Sequence, residues 1–246
     1  MHDENQFITL TYEHEPQHGS LNPPDFVNFM KRYRKSVSPR KIRFFHGAEY
    51  GDKLGRPHHH ACIFGHDFTD KEIFHECEGI ITYYSPKLEK LWGHGFCTTS
   101  DLTLQSAAYV ARYCLKKVSK SKKSEDKHHA HYEKICPYTG EIRQIEPEYS
   151  TMSRRPGIGR DWYDQFNSDI FPHDKTIYKG KHIKTPRYYE NLLRSTDNIL
   201  YDEIKAQRKK NAAKSAAHNT PKRLRVREII KNASFSNINR KLHDET

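Results

Sequence analysis

The strongest constraint on the fold is a run of three histidines that leads directly into an apolar stretch. Residues 58–64 read His-His-His-Ala-Cys-Ile-Phe, and the apolar half of this segment is typical of a strand. Side chains alternate between the two faces of a strand, so we expect His58 and His60 on one face and His59 on the other. Two neighbouring imidazoles form a platform for a divalent metal ion that lacks a third ligand. The alternatives are hydrogen-bonded core histidines or a histidine-rich surface patch.

The third ligand is predicted on a strand that precedes the histidines. Residues 41–50 read as a strand, and the turn-rich segment 51–55 predicts a hairpin between it and the histidine strand. Glu49 lies near the end of the first strand, so the hairpin would place its carboxylate across from the histidines. Taken alone, Glu49 would be a solvated acid at a strand end. A site of two imidazoles and one carboxylate suits Mn²⁺ or Mg²⁺, acting as a Lewis acid on a phosphate, better than a closed zinc site.

The remaining elements of this part predict an α+β fold. We expect strands at residues 7–12 and 95–99, a helix starting at Asn22, helical structure over 69–92 with breaks at Gly79 and Ser85-Pro86, and a helix capped by Asp101. The order β-α-β-β-α-β-α favours an antiparallel sheet with flanking helices, of ferredoxin-like type.

The helix after Asp101 carries two tyrosines in a chemically suggestive arrangement. Tyr109 and Tyr113 are four residues apart and share a face, with Lys116 on the next turn. The opposite face is apolar and consists of Ala107, Ala111, Cys114 and Val118. A tyrosine with a pKa near 10 needs activation to act as a nucleophile. The metal and one of the cations Arg112, Lys116 or Lys117 could stabilise the phenolate or the charge on the phosphorus. The alternative is a pair of exposed tyrosines on a polar helix face.

Basic residues are concentrated in two places. The formal net charge is +11, and residues 205–241 carry twelve Lys and Arg against one acid, Glu228. Such a tail favours a polyanion through counterion release, although a solvated helix without a partner has the same composition. The segment 153–160 combines glycines with three arginines, which are Arg154, Arg155 and Arg160. It predicts a phosphate-binding loop or, alternatively, a basic surface turn.

Several protein classes are disfavoured by the composition. No window approaches the roughly 18 apolar residues that a membrane helix needs, so we expect no membrane partner. The first residues lack the pattern of a signal peptide. The five cysteines are odd in number and include no Cys-x-x-Cys pair, which indicates reduced thiols and not a disulfide framework.

Taken together, these motifs resemble the replication initiators of small single-stranded DNA phages. The chain is similar to the gokushovirus-type microvirus replication proteins, which are HUH endonucleases. The segments that carry the resemblance are residues 7–12, 47–51, 56–64, 107–117 and 151–159, and the likeness covers most of residues 7–190. Family members often have a cysteine-bearing segment before the first strand, and this sequence begins almost at that strand. The residue between the ligand histidines is usually apolar or aromatic, so His59 leaves open a different choice of ligands.

The resemblance implies a function in rolling-circle replication. Tyr109 and Tyr113 would be alternating nucleophiles that nick single-stranded origin DNA, leaving a 5′-phosphotyrosine and a 3′-hydroxyl. The host polymerase would extend that hydroxyl, and a second transesterification would close the circle without ATP. No phosphate-cradling Walker loop is present, so unwinding would need a host helicase, in the cytoplasm of the bacterial host.

The implied domains are a nicking-joining endonuclease over residues 1–190 and a basic, helical, partly disordered tail over 191–246. Residues 119–161 would be a loop-rich insertion in the endonuclease. One alternative is a noncatalytic module that binds single-stranded nucleic acid through its basic tail and aromatic residues, but it gives no reason for paired histidines and paired tyrosines. Another is an HUH relaxase, plasmid initiator or transposase with the same chemistry, although these often use one tyrosine.

Overall fold

The computed structural model describes residues 1–51, 54–77, 79–113, 131–135 and 139–236. The chain divides into two compact units, Met1–Ile158 and Gly159–Thr246. The strands of the first unit are β1 (Asn5–Leu10), β2 (Arg43–Tyr50), β3 (Pro57–Phe64), β4 (Glu72–Cys77), β5 (Ile80–Tyr84), β6 (Cys97–Asp101), β7 (Glu133–Ile135), β8 (Ile142–Gln144) and β9 (Tyr149–Met152). The α-helices of this unit whose bounds lie within the described residues are α1 (Pro23–Ser36), α2 (Pro86–Trp92) and α3 (Leu104–Tyr113).

Seven of the described strands form one antiparallel sheet. Their order across the sheet is β4-β5-β6-β1-β3-β2-β9, and β7 pairs with β8 in a separate hairpin. Helices α1 and α2 pack on one face, and α3 packs over β2 and β3 on the other. The predicted α+β class, with an antiparallel sheet and flanking helices, is therefore confirmed.

The sequence pattern of α1 explains how the main core forms. Pro23 and Pro24 occupy the first helical positions, where their missing N–H groups cost no intrahelical hydrogen bond. Four apolar residues at helical spacing, Phe26, Phe29, Met30 and Tyr33, are all buried against the sheet. Burial of each such side chain contributes roughly 1.5–3 kcal/mol, which is enough to fix the helix on this face.

The helical structure predicted over residues 69–92 is wrong except at its end. Strands β4 and β5 form a hairpin there, and only α2 is helical. Gly79 adopts a φ of 77°, a left-handed conformation that suits the turn. The β5 sequence Ile-Ile-Thr-Tyr-Tyr consists of β-branched and aromatic residues, whose preference for strands outweighs the helix-like spacing of the segment.

The loop-rich insertion predicted over residues 119–161 is also partly wrong. Among its described residues, β7 and β8 form a hairpin and β9 extends the main sheet beside β2. These strands have three or four residues each, so they carry no periodic signal. Pairing with a neighbouring strand stabilises them instead.

The second unit contains helices and a short hairpin. Its elements are α4 (Arg160–Phe166), β10 (Thr176–Tyr178), β11 (Lys181–Ile183), α5 (Arg187–Thr196), α6 (Asn198–Lys214) and α7 (Pro221–Ser236). The helical C-terminal extension is confirmed, and it is interrupted between α6 and α7. Among the described helices, none has both the length and the apolar character that crossing a membrane requires.

The core of the second unit spans the predicted domain boundary. Tyr163 and Phe171 lie before residue 190, and Leu193 and Ile204 lie after it, yet all four belong to one buried cluster. The compact units therefore divide the chain earlier, after Ile158. The boundary at residue 190 between an endonuclease domain and a tail stays a prediction.

Candidate metal centre and its tyrosine

The register of the β2–β3 hairpin brings the three predicted ligands together. Glu49 pairs with His58, and Gly47 pairs with His60, so Glu49, His58 and His60 project from one face of the sheet. One potential ligand atom from each residue lies within 4.8 Å of those of the other two. The three residues thus form a group that could hold a divalent metal ion.

The carboxylate of Glu49 is the centre of this cluster. Its Oε1 atom lies 3.0 Å from Nε2 of His58 and 3.2 Å from Nε2 of His60. Glu49 is 1% exposed, and burial alone would raise the pKa of its carboxyl group. The hydrogen bonds from His58 and His60 outweigh burial and lower this pKa to about 2. Glu49 is therefore an anion at neutral pH.

The opposite ring nitrogens of both histidines have partners of their own. Nδ1 of His58 lies 3.1 Å from the carbonyl oxygen of Arg56, which can only accept a hydrogen bond. Nδ1 therefore carries a proton, so Nε2 donates a hydrogen bond to Glu49 only when the ring is an imidazolium. In the neutral ring, Nε2 instead directs a lone pair at Glu49. Nδ1 of His60 lies 3.1 Å from the hydroxyl of Thr9.

This arrangement fits a cation. A lone pair and a carboxylate oxygen 3.0 Å apart repel each other unless a proton or a cation lies between them. Metal-bound histidines typically donate their second ring N–H to a carbonyl or another acceptor, which fixes the ring. The donor set of two nitrogens and one carboxylate thus suits a divalent ion with open coordination positions.

His59 is excluded as a ligand of this cluster because it points to the opposite face. Its Nε2 lies 2.9 Å from the hydroxyl of Tyr12, and its Nδ1 lies 3.0 Å from Nε2 of His46. Tyr12 donates its own proton to Asp25, so it accepts from His59, and His59 then accepts from His46. Both histidines are fully buried, and Phe26 of α1 stacks on His46 with ring centroids 3.5 Å apart. His59 therefore does not replace His58 or His60 in this cluster, although the sequence left that choice open.

Helix α3 places Tyr109 against the face that carries the candidate ligands. Val110 lies over Gly47, where a Cβ atom would approach Val110 Cγ1 to 3.3 Å. Tyr109 is buried, and its ring lies edge-on to that of His60 with centroids 5.2 Å apart. Phe7 of β1 stacks on His60 with centroids 5.6 Å apart, and its ring also contacts that of Tyr109 at 6.3 Å. The absence of a side chain at residue 47 thus allows the tyrosine helix to approach the candidate ligands.

Two details of α3 differ from the sequence prediction. Thr103 and Ser106 cap its start by reciprocal hydrogen bonds between side chains and backbone N–H groups, whereas the predicted cap, Asp101, ends β6. The buried face contains Ser106, Tyr109 and Val110, while Ala111, on the predicted apolar face, is exposed. The larger side chains fill the space above the sheet. The small alanines bury too little apolar surface to determine which face of α3 packs against it.

The other predicted site residues are not brought to the cluster by the described structure. The backbones of Arg112 and Tyr113 belong to α3, but their side chains, like the whole of Lys116 and Lys117, lie outside the described residues.

The predicted arginines lie elsewhere. Arg154 and Arg155 are exposed in a turn that follows Ser153, which is hydrogen-bonded to Phe44 at the start of β2. Glu49 is five residues further along that strand, about 17 Å away at about 3.3 Å per residue. Arg160 begins α4 in the second unit and pairs with Asp164 at 2.8 Å.

Some residues around the cluster were missed at the level of sequence. Thr9 and Phe7 both contact His60, and strand alternation in β1 would have placed them on one face. A single histidine within a strand, as at His46, carries no comparable signal.

Comparison with known proteins decides the family. The family model for the replication-associated protein ORF2 and its relatives matches residues 5–118, which include the candidate ligands and both tyrosines. The replication-associated protein VP4 of Bdellovibrio phage phiMH2K is 30% identical over 201 residues, covering 78% of this chain and 58% of the relative. The chain belongs to the replication-associated proteins of microviruses.

Two further members of this family give the same picture. The replication-associated protein ORF2 of Spiroplasma virus 4 is 29% identical over 248 residues, covering 94% of this chain and 69% of the relative. The replication-associated protein ORF4 of Chlamydia phage 1 is 28% identical over 202 residues, covering 78% of this chain and 47% of the relative. The chain thus spans about half to two thirds of the length of these family members. No solved structure matches it.

Proposed function

We propose that this protein initiates replication of a small single-stranded DNA genome by nicking its origin through a covalent tyrosyl intermediate. The observation that carries the proposal is the position of Tyr109, whose ring contacts that of His60 on the same face as Glu49 and His58. A carboxylate–histidine cluster beside a tyrosine matches the needs of phosphodiester transesterification. The relatives, which are named replication-associated proteins, support the assignment to replication.

Glu49, His58 and His60 would hold Mn²⁺ or Mg²⁺. When bound, the ion would polarise the scissile phosphate and neutralise the charge that develops on it. Arg56 and Thr9, through their hydrogen bonds to the ring nitrogens remote from Glu49, would keep both imidazoles oriented.

The nucleophile would be the hydroxyl of Tyr109 or of Tyr113. Its oxygen forms a bond to the 5′-phosphorus as the bond to the 3′-oxygen breaks, and the proton lost by the phenol balances the one gained by the 3′-hydroxyl. The phosphodiester energy stays in the phosphotyrosine, so the later attack by a 3′-hydroxyl rejoins DNA without ATP. Host polymerase would extend the 3′-hydroxyl and a host helicase would unwind the duplex, in the bacterial cytoplasm.

Contacts to the DNA backbone would come from the basic residues. Helices α6 and α7 present exposed lysines and arginines over residues 205–231 and would supply salt-dependent affinity. Arg112, Lys117, Arg154, Arg155 and Arg160 remain the proposed contacts outside these helices. Lys116 remains the proposed cation for the phenolate.

A denaturing gel tests the covalent step. The protein is incubated with labelled single-stranded origin DNA and Mn²⁺ or Mg²⁺, in parallel with Tyr109→Phe, Tyr113→Phe and the double variant. We expect a metal-dependent protein–DNA adduct that the double variant does not form, and the single variants report which tyrosine acts first. Tight binding without adduct or cleavage would instead favour a noncatalytic binding module.

Thermal unfolding tests the metal centre without relying on activity. An ion that binds only the folded protein at 100 times its Kd stabilises it by about 2.7 kcal/mol. We expect Mn²⁺ to raise the Tm of the wild type, and His58→Ala and His60→Ala to abolish this increase. His75→Ala removes an exposed histidine of β4 and serves as the matched control. An unchanged increase in Tm in the His58 and His60 variants would remove the proposed metal site.

A further inference from the structure

The face of the sheet that carries the candidate metal centre continues beyond α3. That helix packs over β2 and β3, whereas β6, β5 and β4 extend the same sheet on the other side of β1. At this end lie three aromatic rings, Phe74, Tyr84 and Phe96, which we term the aromatic cluster; Phe96 contacts both of the others. The ring of Phe96 lies 4.9 Å from that of Phe74 and 5.9 Å from that of Tyr84, to which it is nearly parallel.

The aromatic cluster is open to solvent. Phe74 is 47% exposed and Phe96 is 37% exposed. Single exposed apolar residues are common on proteins, but contiguous exposed aromatic rings typically mark a surface that binds a partner. The aromatic cluster therefore has the character of a binding surface. Its neighbours on the sheet indicate which kind of partner it fits.

Strand register places the aromatic cluster on the same face as the ligands. Thr9 lies between His60 on one side and Thr98 on the other, so these three side chains share a face. Phe96 is two residues before Thr98 and its carbonyl accepts from the N–H of Thr11, so it belongs to the same face. Two strand spacings of about 4.8 Å separate β3 from β6, which places Phe96 about 10 Å from the histidine strand.

We infer that the aromatic cluster is a platform on which bases of the single-stranded DNA substrate stack, a few nucleotides away from the scissile phosphate. The inference rests on the proposed function, which supplies the substrate. Aromatic side chains stack on any base and so give affinity without sequence preference. At about 3.4 Å per stacked nucleotide, 10 Å corresponds to about three nucleotides between the platform and the metal centre.

The charges around the cluster determine which part of the DNA faces it. Glu72 pairs with Tyr84 across β4 and β5, and Glu89 accepts a hydrogen bond from the Tyr84 hydroxyl at 3.2 Å. These carboxylates repel phosphates, so bases and not the backbone lie on the rings. The hydroxyls of Thr9 and Thr98, which carry no charge, form the floor between the rings and the metal centre and can bond to sugar and phosphate oxygens.

Binding of labelled oligo(dT) and of an abasic oligomer of equal length, followed by fluorescence anisotropy of the full chain, tests the platform. We expect Phe96→Ala to weaken oligo(dT) binding about tenfold, the loss of one stacked base, and to change abasic binding little. Phe96→Tyr should retain affinity. Ile73→Ala is the matched control, because Ile73 is 69% exposed on the same hairpin but pairs with Tyr83 on the opposite face.

Three results would overturn the platform. The first is unchanged oligo(dT) affinity in Phe96→Ala, and the second is an equal loss on the abasic oligomer. The third is a wild type that self-associates while Phe96→Ala is monomeric with normal DNA affinity, which would make the cluster a contact between copies. If Phe96→Ala does not fold, as judged by its circular dichroism, Phe74→Ala replaces it, since that ring is more exposed.

The adduct assay at saturating DNA separates this inference from the proposed function. If the adduct forms and Phe96→Ala binds oligo(dT) as tightly as the wild type, the platform is refuted while the proposed nicking function still stands. If DNA binding depends on bases and on Phe96 but no adduct forms, the platform is supported and the proposed nicking function is refuted.

Discussion

Acidification should destabilise the first unit through two buried histidines that lie on the opposite face of the sheet from the candidate metal cluster. His59 and His46 are both fully buried and hydrogen-bonded to each other. Burial, reinforced by the neighbouring imidazoles, lowers the pKa of His59 to about 3 and that of His46 well below its usual value. The folded protein therefore keeps both rings neutral at pH 7, and that of His59 also at pH 4.5.

The sign and size of the effect follow from proton binding. Below pH 6.5 the unfolded chain protonates these histidines and the folded chain does not, so stability is lost as the pH falls from 6.5 towards 3. At pH 4.5, two units below 6.5, this costs about 3 kcal/mol for His59 alone, at about 1.4 kcal/mol per unit. For a unit of this size, the Tm should fall by about 6–12 °C. The lowered pKa of Glu49 adds a loss only below about pH 4.5.

Scanning calorimetry at pH 7 and pH 4.5, at constant ionic strength, measures this difference. His59→Gln keeps a donor for Tyr12 and an acceptor for His46 but does not titrate, so its Tm should be lower at pH 7 and fall less on acidification. His75→Gln, at an exposed position, should behave as the wild type. A wild-type Tm that is the same at both pH values, or a His59→Gln variant with the full wild-type decrease, would refute the reasoning.

Two further predictions concern packing and thiol reactivity. Gly47→Leu should push α3 away through contact with Val110, lower stability by about 1–3 kcal/mol, and strongly reduce any adduct formed through Tyr109; an undiminished adduct yield on the denaturing gel would contradict this. Iodoacetamide should label exposed Cys77 in the native protein but label Cys62 only after unfolding, because burial raises the pKa of that thiol to about 12; equal labelling of both by peptide mass spectrometry would contradict it.

The candidate metal cluster could be predicted from the sequence because strand geometry leaves few choices. Alternation fixes His58 and His60 on one face, and a short turn leaves Glu49 in register with His58. Both inferences use local distances of a few residues. Contacts of this kind are the part of a fold that sequence patterns describe best.

The features that were missed depend on distant partners. Strand β9 has four residues and forms only because the edge of β2 is available to it. The buried face of α3 is chosen by the gap above Gly47, on another element, and not by the hydropathy of the helix. Burial at Tyr109 therefore follows from the sheet beneath it, which the helix sequence alone does not encode.

The three consecutive histidines lie in two different environments because of the strand that carries them. His58 and His60 face the site, while His59 is fixed in the core by Tyr12 and His46. A metal site needs ligands held at defined positions, and a strand anchored only by its backbone could slide or twist. Since His59 is hydrogen-bonded on both ring nitrogens beneath α1, it holds β3 in register with β2. An apolar residue at position 59 would fill the same space, but it would leave Tyr12 and His46 without this hydrogen-bond partner inside the core.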